Sequence, residues 1–428
     1  MQQIDVILGL QWGDEGKGKI VDFLANDYQC IARFQGGANA GHTLYYQGQK
    51  VVLHLIPSGA LHPHLLNFIG SGVVIDPVVL RREIINLQAL GVNIAERLII
   101  ARKAHLTLPT HKILDAASET AKAGLKIGST LKGISPTYMD KIGRNGLRIG
   151  DITHPNFKQF YEQLKAKHIK ILEQQYAVDY QLDELENEWF ESLAFLQQQI
   201  RMVDGEFFIN DELQKGHRIL GEGAQGTMLD IDYGTYPYVT SSTTLTAGAC
   251  IGLGIAPQRI NKVIGIAKAY CTRVGSGPFP SELHDATGQK LRDVGNEYGS
   301  TTGRPRRCGW LDLPALRYAL MLNGVTHLGI TKIDVLNEFD EINICEKYLI
   351  DGSQQGSSNW PYDADRCTIE PQYVTFKGWQ QSLQNCQNYN QLPQNLQNYL
   401  QYLSQQTNLP IAWLSTGPER DQLLINTN

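Results

Sequence analysis

The sequence lacks several features that would assign it to a class at once. It has no apolar run long enough to span a membrane and no segment typical of a signal peptide. Its seven cysteines show no C-x-x-C spacing, which argues against zinc ligands and disulfides and predicts reduced thiols in a cytoplasmic protein. Basic residues are not in excess, because 38 lysines and arginines stand against 43 aspartates and glutamates, a net charge of −5. These absences predict a protein that binds neither membranes nor nucleic acid.

The chain also lacks a Walker A sequence, G-x-x-x-x-G-K-[ST], although a glycine loop with a similar layout stands near its start. The apolar run 4–8 predicts a buried strand, the segment 9–19 (GLQWGDEGKGK) follows it, and a helical spacing of apolar residues begins at Ile20. In this arrangement, backbone N–H groups at the start of a helix bind phosphate. The loop carries a carboxylate, Asp14, which predicts a base or a metal ligand beside the phosphate.

Strand and helix patterns alternate along the chain and predict an α/β fold, a single large domain over residues 1–428 with a central, mostly parallel twisted sheet flanked by helices. Further strands are predicted at 69–75, 219–222, 263–266 and 328–331. Residues 156–215 are poor in glycine and have apolar residues at helical spacing, which predicts a helical excursion packed on the sheet. In the region 353–407, rich in Gln and Asn, the apolar residues after Pro393 predict an amphipathic helix.

Two more glycine-rich segments predict ligand-binding loops. The segment 34–43 (FQGGANAGHT) lets a ligand approach the backbone closely and adds the polar side chains of Asn39 and His42. The segment 221–227 (GEGAQGT) follows a predicted strand and offers Gln225, whose amide can pair with the edge of a base. A lone histidine is usually structural, but the position of His42 between glycine loops favours contact with a ligand.

Three polar segments extend the predicted site. The hydroxyl-rich segment 236–242 (YPYVTSS) suits a phosphate or a ribose, and 299–307 (GSTTGRPRR) suits carboxylates and phosphates because guanidinium groups bind them bidentately. The tetrapeptide 331–334 (TKID) resembles the [NT]-K-x-D element of GTPases, in which the carboxylate accepts two hydrogen bonds from guanine. Adenine lacks that pair of donors. The position of 331–334 after a strand, upstream of 415–418 (STGP), makes guanine the predicted base.

The order and length of these motifs resemble those of the adenylosuccinate synthetase family. The resemblance rests on segments 11–19, 35–37, 39–43, 221–226, 234–240, 272–275 and 415–418 and covers nearly the whole chain. The family joins IMP to L-aspartate at the expense of GTP, with Mg²⁺, in the first committed step of AMP biosynthesis from IMP. The resemblance therefore implies a GTP-dependent carbon–nitrogen ligase that forms adenylosuccinate, GDP and phosphate.

The resemblance also implies roles for individual residues. Asp14 would take the proton from purine N1, so that the 6-oxygen attacks the γ-phosphate of GTP and forms 6-phosphoryl-IMP. The aspartate amine would then displace phosphate. His42 would donate to the oxygens of the transferring phosphoryl group, and one Mg²⁺ per subunit would bind Asp14 and the backbone carbonyl of Gly41. The protein would be a homodimer, with Arg144 reaching the IMP site of the neighbouring subunit.

The implied substrate contacts fall into three sets. GTP would contact Gly13, Asp14, Glu15, Gly16, Lys17, Gly18, Lys19, Gly41, His42, Thr43, Arg306, Lys332, Ile333, Asp334, Ser415, Thr416 and Gly417. IMP would contact Asp14, Lys17, Asn39, Ala40, Gly41, His42, Thr130, Arg144, Gln225, Thr240 and Arg304. Aspartate would contact Ser300, Thr301, Thr302, Gly303, Arg304, Pro305 and Arg306.

Two positions depart from the family's pattern. Where the family reads T-T-x-R-G-I-G-P, this chain has 129–136 (STLKGISP), so Lys132 replaces an arginine associated with the aspartate end of the site. Pro305 stands where a further arginine is usual. Because lysine cannot reproduce the bidentate fork of arginine, the sequence predicts a weakened aspartate contact at Lys132.

Three other functions each fit part of the sequence. A regulatory GTPase would use the phosphate and guanine elements, and a D-x-x-G occurs at 285–288, but the Walker A hydroxyl is missing and the additional ligand loops are unexplained. An ATP-dependent ligase of another class would differ in its nucleotide preference. A structural or interaction protein without activity conflicts with the retention of Asp14, His42 and Arg304.

Overall fold

The computed structural model describes residues 3–299 and 303–426. Its strands are β1 (Ile4–Gly9), β2 (Cys30–Arg33), β3 (His42–Tyr46), β4 (Gln49–Leu53), β5 (Leu66–Ile69), β6 (Val74–Ile75), β7 (Leu98–Ala101), β8 (His105–Leu106), β9 (Arg201–Val203), β10 (Ile219–Glu222), β11 (Ile260–Lys268), β12 (Tyr270–Arg273), β13 (Arg307–Asp312), β14 (His327–Thr331), β15 (Glu341–Ile350), β16 (Ile369–Lys377), β17 (Ile411–Ser415) and β18 (Leu423–Ile425). Its α-helices are α1 (Lys17–Leu24), α2 (Pro77–Ala89), α3 (Pro109–Ala121), α4 (Ile134–Ile142), α5 (Phe157–Ile171), α6 (Asp183–Gln199), α7 (Gly205–Gln214), α8 (Thr246–Leu253), α9 (Ala286–Val294), α10 (Leu313–Asn323) and α11 (Gln394–Thr407).

Ten of these strands form one sheet in the order β18-β17-β14-β11-β1-β10-β2-β5-β7-β9. Every neighbouring pair is parallel except β17 and β18. Strand β1 is buried on both faces, because Val6 and Leu8 pack in the cluster that includes Leu316 of α10, whereas Ile7 packs with Ile20 of α1. Burial on both faces is typical of a parallel sheet covered by helices. The predicted α/β fold is confirmed.

The predicted strands at 4–8, 219–222, 263–266 and 328–331 are confirmed by β1, β10, β11 and β14. The single strand predicted at 69–75 is wrong, because β5 ends at Ile69 and β6 begins only at Val74. Between them, Gly72 donates a backbone hydrogen bond to Gly252 of α8. A Cβ atom added to Gly72 would lie 2.1 Å from the carbonyl oxygen of Phe34. The two backbones therefore approach each other where the sequence suggested a continuous strand.

The excursion at 156–215 contains the helices α5, α6 and α7, as predicted, and also the strand β9. Strand β9 pairs in parallel with β7 at the edge of the main sheet. With three residues, β9 is too short to show an alternating pattern in the sequence. The helix predicted after Pro393 is confirmed by α11. Within the described parts of the chain, no helix combines the length and the apolar character needed to cross a membrane.

Parallel strands present their carboxyl ends at one edge of the sheet, and the predicted ligand loops follow these ends. The loops 10–16, 34–41, 223–226, 332–334 and 416–418 follow β1, β2, β10, β14 and β17, respectively. Thr331 donates its hydroxyl to the carbonyl of Glu15 at 2.6 Å, which joins the segment 331–334 to the loop 10–16. A Cβ atom on Gly18 would lie 3.3 Å from Cβ of His42. Segments that are distant in the sequence therefore converge at this edge.

Candidate active site

The converging loops surround a cavity of about 990 Å³. The predicted site residues that line it are Gly13, Asp14, Gly16, Lys17, Gly18, Lys19, Asn39, Ala40, Gly41, His42, Thr43, Thr130, Gln225, Thr240, Arg306, Lys332, Asp334, Ser415 and Gly417. Glu15, Ile333 and Thr416 are buried and do not line the cavity. Arg144, Gly303, Arg304 and Pro305 do not line it either. Ser300, Thr301 and Thr302 lie outside the described residues.

The phosphate loop presents Asp14 to the cavity in a left-handed conformation with φ of 57°. The buried carboxylate of Glu15 fixes this loop, because its Oε1 atom accepts from the backbone N–H groups of Gln11 at 3.0 Å and Gly13 at 2.9 Å. The side chain of Asp14 is 34% exposed, and its Oδ2 atom lies 2.8 Å from Nε of Arg306. Asp14 is therefore an accessible carboxylate that already has one cationic partner.

Two lysines tie the phosphate loop to its neighbours. Nζ of Lys17 donates to Oε2 of Glu15 and to the carbonyl of Gln225, both at 2.6 Å. Nζ of Lys19 donates to Oγ of Ser415 at 2.8 Å and to the carbonyl of Gly417 at 2.6 Å. Burial lowers the pKa of Lys19 to about 8, against the opposing effect of nearby carboxylates. Both cations face the cavity, where they suit an anionic ligand.

His42 begins β3 and is held by a buried carboxylate. Its Nδ1 atom lies 2.5 Å from Oε1 of Glu222 and 3.1 Å from Oγ of Ser58. Burial would raise the pKa of Glu222, but His42 and Arg33, its neighbour on β2, outweigh this effect and lower the pKa to about 2. Because Nδ1 is engaged by Glu222, the other ring nitrogen of His42, Nε2, is the one left to meet a ligand.

Several buried polar atoms on the cavity wall lack a protein hydrogen-bond partner among the described residues. They are both amide atoms of Gln225, Oδ1 of Asn39 and Oδ1 of Asp334. Buried polar atoms in folded proteins almost always have partners, so such atoms require an explanation. The amide nitrogen of Asn39 does donate to Oγ1 of Thr240 at 3.4 Å, which joins two of the predicted loops. Burial also raises the pKa of Asp334. The unpartnered atoms suit the polar edges of two bound bases.

Residues 297–299 and 304–306, on the two sides of the arginine-rich segment, form a short antiparallel ribbon. Arg306 donates its backbone N–H to the carbonyl of Glu297 at 2.9 Å, and Gly299 donates to the carbonyl of Arg304 at 2.9 Å. Pro305 lies between these two bonds, in the pair of the ribbon whose backbone N–H groups point outward. A proline removes no hydrogen bond at this position. The departure at Pro305 is therefore compatible with an intact ribbon.

The segment that contains Lys132 forms another wall of the cavity. Two carboxylates of α3 fix it, because Glu119 accepts from the backbone N–H of Gly128 at 2.6 Å and Asp115 accepts from that of Gly133 at 2.9 Å. This arrangement places Thr130 on the cavity wall, whereas Lys132 is half-buried and does not line the cavity. Lys132 therefore lies beside the site and not in it.

The D-x-x-G segment 285–288 has a structural explanation. The carboxylate of Asp285 accepts from the backbone N–H groups of Thr287 at 3.0 Å and Gly288 at 3.1 Å and so caps the start of α9. None of these residues lines the cavity. The segment is a helix cap, so it does not support a regulatory GTPase.

Two groups of residues offer atoms that could ligate a metal ion. Asp14 and the backbone of Gly41 line the same cavity and offer oxygen ligands, which suit Mg²⁺. A second group, His111, Asp140 and His168, is buried and has its ligand atoms within 4.8 Å of one another. In that group, His111 and His168 already bind Oδ2 of Asp140 through Nε2, at 2.9 and 2.6 Å. These hydrogen bonds join α3, α4 and α5, which favours a structural role.

The sequence did not identify three residues that support the site. Glu222 lies within a recognised motif but received no role, and Glu297 and His54 lie outside the motifs. His54 uses Nδ1 to bind the carbonyl of Ala40 at 2.5 Å, next to His42 and Gly41. Single polar residues in a mixed sequence carry no pattern from which burial or a partner can be read. The only signal was the position of Glu222 inside a glycine motif after a strand.

Comparisons with known proteins identify relatives of this chain. The protein-family model described as adenylosuccinate synthetase matches residues 6–424. An adenylosuccinate synthetase of Cytophaga hutchinsonii is 54% identical over 424 residues, which cover 99% of this chain and 98% of that protein. One from Flavobacterium johnsoniae is 53% identical over 422 residues, which cover 98% and 99%.

Solved structures agree with these relatives. The structure of a fully ligated adenylosuccinate synthetase from Plasmodium falciparum superimposes with a TM-score of 0.93 at 38% identity, with complete coverage of both chains. A succinoaminodeoxyadenylate synthetase of cyanophage S-2L, bound to dGMP and dATP, gives a TM-score of 0.63 at 22% identity, with coverage of 100% and 96%. At that identity, the second likeness shows a shared fold only.

Proposed function

Because the chain belongs to the adenylosuccinate synthetase family, we propose that its cavity ligates IMP to L-aspartate with GTP as the energy donor. The products are adenylosuccinate, GDP and phosphate, in the first committed step of AMP biosynthesis from IMP. The observation that supports this assignment most strongly is the set of unpartnered buried atoms on Gln225, Asn39 and Asp334, in one cavity with the phosphate loop. Such a cavity offers polar groups for two bases together with a loop suited to phosphates.

Asp14 acts as the base in this proposal. Its carboxylate faces the cavity and takes the proton from purine N1, which makes the 6-oxygen a nucleophile for the γ-phosphate of GTP. The 6-oxygen–phosphorus bond forms as the bond to GDP breaks, and the aspartate amine then displaces phosphate. Positioning and charge neutralisation supply most of the acceleration in phosphoryl transfer. The structure supports this role through the accessibility of Asp14.

In this proposal His42 carries a proton on both ring nitrogens, so that Nδ1 donates to Glu222 and Nε2 donates to the oxygens of the transferring phosphoryl group. Burial lowers the pKa of His42, and the carboxylate of Glu222 opposes this effect. Glu222 holds the opposite nitrogen at 2.5 Å, so the ring keeps one orientation. Asp14 and the carbonyl of Gly41 would hold one Mg²⁺ per subunit, an ion that neutralises phosphate charge when bound. Lys17 and the N-terminus of α1 add positive potential on the same side of the cavity.

The two nucleotides and aspartate occupy separate parts of the cavity in this proposal. Guanine contacts the segment 332–334 and the C-terminal loop 415–417, and IMP contacts Asn39, Thr130, Gln225, Thr240 and Arg304. Aspartate binds the segment 300–306, whose arginines suit its carboxylates. The first test is whether adenylosuccinate forms from IMP, GTP and aspartate, followed by its absorbance. Product formation with ATP but not GTP would contradict the guanine assignment, and hydrolysis of GTP without IMP would favour a GTPase.

Lys132→Arg is expected to lower the KM for aspartate and to leave the KM values for IMP and GTP nearly unchanged. Position 132 lies beside the cavity, two residues after Thr130 on its wall, so the prediction requires that the longer side chain of arginine reaches the bound aspartate. Its guanidinium group can bind a carboxylate bidentately, whereas the ammonium group of Lys132 cannot. Initial-rate kinetics with each substrate varied in turn would measure this. An unchanged or raised KM for aspartate would show that the replacement is neutral, with an arginine of the ribbon supplying the carboxylate recognition.

The exposed surface beside Arg144 supports a homodimer. Met139 and Ile142 of α4 are 71% and 78% exposed, and Ile251 of α8 is 75% exposed. The turn 70–72 joins the two helices, because it accepts a hydrogen bond from α4 and donates one to α8. Exposed apolar side chains on neighbouring helices are typical of interfaces. Arg144 follows α4 and does not line the cavity of its own subunit, which is compatible with a role in a neighbouring one.

Mixing two inactive variants tests this arrangement. Arg144→Ala lacks the reaching arginine, and Asp14→Asn lacks the base, so each homodimer is expected to be nearly inactive. A mixed dimer has one site with both Asp14 and the neighbour's Arg144. After random exchange of subunits, we expect about one quarter of the wild-type activity to return. If the mixture stays as inactive as its components although mixed dimers form, Arg144 does not act across the interface.

We also propose that residues 1–428 act as one domain and that the protein is cytoplasmic. Strands from Ile4 to Ile425 enter the same ten-stranded sheet, which supports a single domain. All seven cysteines are free thiols, as is typical of a reducing compartment.

A further inference from the structure

Glu297 is a fully buried carboxylate that does not line the cavity but binds two residues that do. Its Oε2 atom accepts from Nη1 of Arg306 at 2.6 Å, and its Oε1 atom accepts from Nζ of Lys332 at 2.7 Å. Oε1 also accepts from the hydroxyl of Tyr270 at 2.5 Å and from Nζ of Lys268 at 3.1 Å. One side chain therefore fixes two parts of the chain relative to each other. They are the segment 331–334, which is the proposed guanine segment, and the arginine-rich ribbon.

Positive charges around the buried carboxylate of Glu297 stabilise it away from water. Burial alone would raise the pKa of Glu297, but Lys268, Lys332 and Arg306 outweigh it and hold the pKa well below its usual range. Lys268 is fully buried as well. Removing one partner of a buried ion pair leaves the other charge uncompensated, which is costly. The positions of the three cations therefore depend on the carboxylate of Glu297.

The same arginine contacts the proposed base. Nε of Arg306 lies 2.8 Å from Oδ2 of Asp14, and its backbone N–H donates to the carbonyl of Glu297 at 2.9 Å. Lys332 has a φ of 55° and stands two residues before Asp334, so its anchoring sets the turn that presents Asp334. Three ion pairs in series, Lys332–Glu297, Glu297–Arg306 and Arg306–Asp14, connect the guanine segment to the base.

We propose that Glu297 is a positioning residue that couples the guanine segment to the arginine-rich ribbon. By holding Lys332 and Arg306 at once, it makes occupation of the guanine segment favour the ribbon geometry that receives aspartate. Glu297 itself touches no substrate. The inference rests on the proposed function, because that function assigns guanine to Lys332 and aspartate to the ribbon.

Glu297→Gln tests the kinetic consequence, because glutamine keeps the volume and removes the charge. The KM values for GTP and for aspartate are each expected to rise about tenfold or more, since hydrogen bonds to charged groups are the stronger ones. The KM for IMP is expected to stay within about twofold, because the predicted IMP contacts do not touch Glu297. Tyr270→Phe is the matched control, because it removes one hydrogen bond to the same oxygen and no charge. A uniform rise in all three KM values with a lower Tm would assign Glu297 a purely structural role and overturn the proposal.

Hydrogen exchange tests the coupling without turnover. In the wild-type protein, GDP is expected to slow exchange of the backbone amides of Gly303, Arg304 and Arg306, and in Glu297→Gln this protection is expected to disappear. Equal protection in both proteins would contradict the proposal. If Glu297→Gln does not fold, the double variant Lys268→Met, Glu297→Gln removes a buried cation with the anion and must show the same pattern. Failure of the wild-type protein to form adenylosuccinate would instead refute the proposed function, while the exchange experiment with GDP would still test the coupling.

Discussion

Asp14→Asn is expected to lower the rate of adenylosuccinate formation by about 10²–10⁴-fold, the range typical of losing a general base. Asparagine keeps the size of the side chain but cannot take the proton from purine N1. It also removes a charge from the proposed metal site and from the contact with Arg306. Arg306 keeps its second partner, Glu297, so the fold is expected to persist. The rate is measured at saturating IMP, GTP and aspartate, with thermal unfolding as the test of folding.

The matched control for this prediction is Asp27→Asn, an exposed carboxylate beyond the end of α1. It makes the same chemical change away from the cavity, so its rate is expected to equal that of the wild-type protein. A near-normal rate for Asp14→Asn would contradict the mechanism, and the base would then have to be another group. If thermal unfolding shows that Asp14→Asn is not folded, its loss of activity would be attributed to the loss of the fold and not to the loss of a base.

Asp334→Asn is expected to raise the KM for GTP by about tenfold or more while the KM for IMP stays within about twofold. In the wild-type protein, the two oxygens of the carboxylate can accept from N1–H and the 2-amino group of guanine, and one of them, Oδ1, has no hydrogen-bond partner among the described residues. An asparagine side chain has only one acceptor and places an N–H₂ group against one of these donors, and leaving buried donors unpaired is costly. The same change should favour XTP, because the 2-oxygen of xanthine accepts from that N–H₂ group.

Kinetics with GTP, XTP and IMP varied separately would measure this change in base preference. Glu338→Gln is the control, because this exposed carboxylate lies four residues further along the chain and does not line the cavity. Equal effects of Asp334→Asn on GTP and IMP would place the guanine pocket elsewhere. Unchanged discrimination between GTP and XTP would lead to the same conclusion.

The sequence predicted the features whose signal is local. A buried parallel strand shows as a short apolar run, so β1, β10 and β14 were found, and a predicted ligand loop follows each of these three strands. The carboxyl ends of parallel strands lie at one edge of the sheet, and these loops therefore lie close together. The prediction of one strand at 69–75 is wrong because Gly72 approaches the backbone of Phe34 closely. This approach depends on the tertiary fold, which no local sequence pattern reports.

The supporting charges could not be predicted, because their partners come from distant parts of the chain. Glu297 binds Lys268 and Lys332 across separations of 29 and 35 residues, and Glu222 binds His42 across 180. A sequence shows that such residues are charged but not which of them are buried together. The group at Glu297 therefore emerged only from the structure, although Arg306 and Lys332 had each been assigned to the site.

The most direct test of the central claim is the fate of the 6-oxygen of IMP. In the proposed mechanism, this oxygen attacks the γ-phosphate and leaves with phosphate when the aspartate amine forms its bond to C6. With IMP labelled with ¹⁸O at position 6, each molecule of adenylosuccinate should therefore be matched by one molecule of phosphate that carries the label, as measured by mass spectrometry. Adenylosuccinate formed together with unlabelled phosphate would contradict the account, because the 6-oxygen would then not have been phosphorylated.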